Sequence, residues 1–177
     1  MTSSICRIAF TAFFLMTAAS LSNAHEVKVG SLLLTQLWAR ATPAGAKVGA
    51  AYLTIENNGP VPDRLVKLSA SIGKAQLHEM KTVDGVMTMR PLEGGLIIAP
   101  GQKVTLAPGG LHLMLTDLNA PLKEGEMLHV VLQFEKAGQI DAGFHIRPVG
   151  AQGPDGGQAK PGATGKSGPD PHSGMKM

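Results

Sequence analysis

Between Val27 and Pro148 apolar and polar residues alternate in short runs, each closed by turn-forming residues. Val27, Val29, Leu32-Leu33-Leu34 and Trp38 mark an extended segment that Thr42-Pro43-Ala44-Gly45 breaks. From Val48 to Ile55, Tyr52 and Thr54 alternate against Leu53 and Ile55, and Asn57-Asn58-Gly59-Pro60 ends the run. Leu65 to Ile72 and Ala75 to Lys81 continue as strands. Asp84-Gly85, flanked by alternating residues, then predicts a two-residue hairpin turn. Leu96-Ile97-Ile98 and Val104-Thr105-Leu106 are short buried runs, and Pro108-Gly109-Gly110 turns the chain into Leu111-His112-Leu113-Met114-Leu115. Met127 to Glu135 and Gln139 to Pro148 predict a closing hairpin. No long stretch carries a 3.6-residue repeat, so short strands punctuated by Gly and Pro predict an all-β sandwich or barrel rather than βαβ units.

The two ends break this pattern. Residues 1–24 have the form of a secretory signal: Arg7 closes a basic start, Ile8 to Leu21 is apolar, and Ser22-Asn23-Ala24 supplies small residues for cleavage. The apolar run is short for a membrane anchor. Cys6, the single cysteine, precedes that run instead of ending it, so a lipoprotein signal is not expected and the mature chain has no thiol. From Gly150 the composition turns to Gly, Pro, Lys, Asp and Ser, which cannot bury enough apolar surface to offset ordering. The expected layout is therefore a signal over 1–24, a β domain over 25–149 and a disordered tail over 150–177.

The 177 residues suit one ordinary domain with extensions. A formal charge of +3 with scattered basic residues, and only one Tyr and one Trp, give no platform for nucleic acid. No nucleophile and base pair, no paired carboxylates and no phosphate loop stand out, so no enzymatic activity is expected.

The chemistry concentrates between His78 and Met114. If Asp84-Gly85 is the turn, Val83 faces Val86, Thr82 faces Met87 and Met80 faces Met89. Period-two alternation then puts His78, Met80, Met87 and Met89 on one face of the ribbon, with His78 diagonal to Met89. In Leu111 to Leu115 the leucines take one face and His112 and Met114 the other. Thioethers and neutral imidazoles, without thiolate or carboxylate, suit Cu(I) and suit Zn(II), Mg(II) or Ca(II) poorly. The bland alternative is a strand with a leucine core face and methionines that fill gaps. Cleavage after Ala24 would expose His25 as an α-amine and imidazole chelate for Cu(II), and His172, Met175 and Met177 repeat the ligand types on the tail. His129 and His145 have no matching methionine and read as packed or surface residues, as Lys123, Glu124 and Glu126 read as a solvated turn.

His78, Met89 and His112-x-Met114 at this spacing resemble the copper-binding signature of the periplasmic copper chaperones of the PCu(A)C family. Trp38-Ala39-Arg40-Ala41-Thr42-Pro43, Gly49-Ala50-Ala51-Tyr52-Leu53, Gly94-Gly95-Leu96, Pro108-Gly109-Gly110 and Pro121-Leu122-Lys123-Glu124-Gly125 are similar to that family over about residues 25 to 147. The resemblance implies a Greek-key, cupredoxin-like or Ig-like β fold. It also implies His78, Met89, His112 and Met114 as primary Cu(I) ligands, and copper delivery in the periplasm toward the binuclear copper centre of cytochrome c oxidase. Met80 and Met87 stand as reserve or transfer contacts. The expected site is partly exposed and loop-borne on a rigid scaffold, open to ligand exchange with a cysteine-bearing acceptor. A periplasmic copper-sequestering or resistance protein would use the same ligands without passing the metal on.

Overall fold

The structure, a computed structural model, describes residues 26–157. These residues form eleven strands and no helix. The first extended segment is two strands, β1 (Val27–Val29) and β2 (Leu32–Arg40), turned at Gly30 with φ +56°. There follow β3 (Val48–Asn57), β4 (Asp63–Ala70), β5 (Lys74–Val83), β6 (Val86–Pro91), β7 (Leu96–Ile98), β8 (Lys103–Leu106), β9 (His112–Thr116), β10 (Met127–Phe134) and β11 (Gln139–Arg147).

Hydrogen bonds join them into one mixed sheet in the order β6-β5-β9-β3-β2-β11-β10-β4-β7, with β1 added to β2 and β8 to β3. β11 runs parallel to β2, and the other described ladders are antiparallel. Non-consecutive neighbours, such as β9 between β5 and β3, give the all-β crossovers expected of a Greek-key arrangement. The path curls until β4 packs beside β5. Leu32, Leu34, Leu53, Ile55, Leu113, Leu115, Leu132 and Phe144 fill the enclosed space. Each such side chain contributes roughly 1.5–3 kcal/mol by leaving water, so this inner face fixes which residues the outer face presents.

One irregularity decides what reaches the outer face. In β2, Leu32 and Leu34 point inward, but beyond a register shift between Thr35 and Trp38 the inward residues are Leu37 and Ala39. Gln36 sits in the shift at φ 54°. An extra residue in a strand reverses the facing of everything after it, so Trp38 and Arg40 point outward. Trp38 is buried, yet it packs with Tyr52 and Ala151 in a small cluster outside the main core.

Ala151 also corrects the domain boundary. Composition places the tail's start at Gly150, but residues 150–157 continue the fold. Ala151 is fully buried, its N–H donates to the Pro148 carbonyl (3.0 Å), and its own carbonyl accepts from Arg40 Nε (2.7 Å). Gln152 N–H donates to the Gly157 carbonyl (2.8 Å). A single alanine seated against two aromatic rings anchors a segment whose composition alone would leave it unfolded. His25, His172, Met175 and Met177 lie outside the described residues.

Asp63 ties the start of β4 to the β10–β11 turn. Its carboxylate accepts from the backbone N–H groups of Arg64 (2.7 Å), Lys136 (2.9 Å) and Ala137 (2.8 Å). Burial opposes its ionisation, but those three donors and the Lys136 charge outweigh burial and hold the carboxyl below the usual range.

Candidate metal centre

The hairpin register fixed by Asp84-Gly85 is the one the turn predicts: Val83 opposite Val86, Thr82 opposite Met87, Met80 opposite Met89. Both turn residues have positive φ, 52° and 79°, as a hairpin turn of the primed kind requires. The step that sequence does not reveal is on the other edge of β5. There β9 pairs with it, His112 opposite His78 and Met114 opposite Gln76. β5 therefore lies between the two ribbons and merges their faces.

Alternation sorts the result. Leu77, Leu113 and Leu115 face the core and are buried, while His78, Met80, Met87, Met89, His112 and Met114 share the outer face. All of these sit on β5, β6 and β9, so the donors are strand-borne and the loop-borne expectation is corrected. The strands hold them because the leucines between them are locked into the core.

His112 is the most fixed of the set, only 5% exposed. Its Nδ1–H donates to the Gly110 carbonyl (3.0 Å), which fixes the tautomer and leaves the Nε2 lone pair available to a metal. The same carbonyl accepts the Met80 backbone N–H (3.3 Å). Gly109, with φ +83°, shapes the turn that places it.

His78 has the opposite condition. Both ring nitrogens are buried and neither has a hydrogen-bond partner among the described residues. Its ring centroid lies 6.0 Å from that of His112, the planes tilted by 48°. Burial first, and the His112 charge second, lower its pKa and favour the neutral ring, the form that carries a ligating lone pair. A ring whose two nitrogens are buried and unmet is costly unless something ligates them.

A cleft of about 620 Å³ opens on this face. Met80, Met89, His112 and Met114 line one side, and Arg40, Tyr52, Val149 and Gln152 line the other. Tyr52 stacks on Trp38 at 4.4 Å between centroids, and Arg40 lies over the Tyr52 ring at 5.6 Å. Burial raises the Tyr52 pKa and the Arg40 charge partly offsets it. Tyr52 and Arg40 were not foreseen as part of the site. Trp38 and Arg40, two residues apart, share a facing in any strand, and the bulge before them turns that facing outward.

Met87 is 59% exposed and does not line the cleft. Glu79 points to the other face and pairs with Lys81 (2.9 Å). His129 is exposed and pairs with Asp141 (3.2 Å), away from the donors, and His145 lies on β11 opposite Trp38. Among the described residues no group of three or more His, Cys, Asp or Glu is positioned to hold an ion. The donor set that does converge is two imidazoles with three thioethers.

The family model for LpqE-like lipoproteins matches residues 32–146. A Leifsonia xyli subsp. xyli protein named as a lipoprotein, Lxx21020, is 36% identical over 102 residues, 57% of this chain. The match spans 60% of that relative's length. Among solved structures, the apo PCuAC domain from PmoF1 superposes with TM-score 0.58 at 35% identity, over 69% of this chain and 98% of that one. The apo PCuAC domain from PmoF2 gives TM-score 0.62 at 26% identity, over 73% and 99% of the two chains. The copper-bound form of the PmoF2 domain gives 0.57 at 28%, over 69% and 97%.

Proposed function

The chain belongs to the LpqE-like family, and from that footing we propose that it is a periplasmic copper chaperone that carries Cu(I) on His78, Met89, His112 and Met114. One observation carries the reading. Two imidazoles and three thioethers converge on the outer face of adjacent strands, and the buried nitrogens of one imidazole have no partner among the described residues. Similarity to PCuAC domains, one of them copper-bound, supports it.

The residues fit the metal. Thioethers and neutral nitrogens are soft donors of the kind Cu(I) prefers, and the group lacks the carboxylates that Mg(II) or Ca(II) would need. Thioethers ligate without losing a proton, so affinity depends less on pH than at a thiolate site. They hold Cu(I) less firmly than cysteine does, so the cargo passes downhill to a cysteine-bearing acceptor by ligand exchange. The copper subunit of cytochrome c oxidase is the acceptor proposed. The chain is proposed to act as a carrier and not as an enzyme.

The test is a Cu(I) competition titration on the reduced protein. One tight equivalent is expected, and exchanging both Met89 and Met114 to Leu should weaken it by at least about a hundredfold, roughly 2.7 kcal/mol. Unchanged affinity would refute the ligand set. Transfer from the loaded protein to an apo oxidase copper domain separates delivery from sequestration, since no transfer under reducing conditions favours the latter. His25 is proposed as a separate Cu(II) position, and the tail residues His172, Met175 and Met177 as an additional, weaker copper-capturing position. Deletion of 158–177 should lower total capacity and spare the tight site. The deletion must begin there, because Ala151 and Gln152 form part of the cleft wall and its support.

A further inference from the structure

Six candidate donors share this face, more than one Cu(I) ion takes, and the structure sorts them unequally. Met80, Met89, His112 and Met114 line the cleft. The His78 nitrogens are buried, and Met87 is left on the open surface. A metal in the cleft faces three thioethers and the His112 imidazole, whereas the His78 ring does not line it.

Resting on the copper reading above, we infer that Met80 is the capture ligand: it holds the incoming metal with Met89, His112 and Met114 until His78 displaces it, and receives the metal again on release. The ladder places Met80 directly opposite Met89, a spacing at which facing side chains meet. Its backbone N–H shares the Gly110 carbonyl with the His112 ring N–H, at 3.3 and 3.0 Å. Met80 is thereby tied to the fixed imidazole, not to the exposed hairpin tip. This separates it from Met87, which shares its face and its chemistry but not its place.

The exchange balances simply. The metal–sulfur bond to Met80 breaks as a metal–nitrogen bond to the neutral His78 ring forms, with no electron or proton moved. Both donors are uncharged, so the charge of the site is constant through the step. Capture on a soft, proton-free donor followed by a move to a buried nitrogen gives a route in and out that leaves the other three ligands in place.

The experiment uses full-length protein with ¹³C-labelled methionine methyls and Ag(I) as a redox-inert substitute for Cu(I). Each methyl is assigned by its own Met→Leu variant. At one equivalent, wild type should show large shifts at Met89 and Met114 and a small one at Met80. In His78→Leu the Met80 methyl should shift as far as the other two, while Met87 stays unmoved in both proteins. A Met80 methyl that does not move in His78→Leu overturns the capture role. If Met89 and Met114 are also unmoved in wild type, the copper reading falls as well, so the two failures are distinguishable. In a second measurement, Met80→Leu, which conserves volume, should slow loss of Cu(I) to a competing chelator about tenfold while equilibrium affinity changes less than about threefold. Equal release rates, or an affinity loss as large as that of Met89→Leu, would each overturn the proposal.

Discussion

Replacing His78 by leucine should make the metal-free protein more stable and the metal-loaded protein gain less. The ring carries two buried nitrogens with no partner among the described residues, and an unsatisfied buried polar group costs about 1–3 kcal/mol. The His78 side chain is only partly buried as a whole, so a combined gain of about 1–2 kcal/mol is the expected effect of removing both. The metal-dependent part moves the other way. A ligand at 1,000 times its Kd adds about 4.1 kcal/mol, and a hundredfold loss of affinity reduces that to about 1.4 kcal/mol. Urea unfolding followed by the fluorescence of Trp38, the single tryptophan, reads both quantities when run with and without Ag(I) under identical conditions. Opposite signs are the signature of a residue kept for binding at a cost to stability. A metal-free variant less stable than wild type by more than about 1 kcal/mol would show that the nitrogens are satisfied in the native state. An unchanged Ag(I) increment would show that His78 is not a ligand.

Leu113→Ala removes a fully buried side chain from between His112 and Met114, and should cost about 3 kcal/mol in urea unfolding while weakening Cu(I) binding through loss of the donors' fixed facing. Asp63→Ala leaves three backbone donors without their carboxylate and should cost about 3 kcal/mol at neutral pH. Because the folded carboxyl is held below its ordinary value, that contribution is complete above the unfolded-state pKa and is lost as pH falls through the folded one. Wild type and Asp63→Ala should therefore converge in stability in acid, as parallel unfolding titrations would show. Ala151→Asp places a charge against the Trp38 and Tyr52 rings and should release the last described segment, read as increased proteolysis after Pro148 with Cu(I) affinity lowered less than by Met114→Leu.

What could be read from the chain follows the range of the interactions that fix it. The β5–β6 register was legible because Asp84 and Gly85 set it within a few residues, and the facings of His112 and Met114 were legible because leucines alternate with them. The pairing of β5 with β9 was not, since β6, β7 and β8 intervene and no local preference names a partner across that distance. Arg40 and Tyr52 escaped for a related reason. Regular alternation in β2 would send Trp38 and Arg40 inward, and nothing in Thr35-Gln36-Leu37 announces the extra residue that turns them outward. The boundary at Gly150 failed because composition averages over a segment, whereas Ala151 is held by one socket and one arginine.

The place of β6 in the sheet has a mechanical consequence. It is the terminal strand, held through β5 with every residue exposed, and it carries Met89. His112 and Met114 stand on β9, clamped between β5 and β3. The cleft thus has an anvil and a hinged jaw. The tip of this jaw can fray without disturbing a single core leucine, at a free-energy cost far below that of global unfolding. The mouth of the cleft can thus widen on the timescale of an opening hairpin while the anvil keeps its geometry.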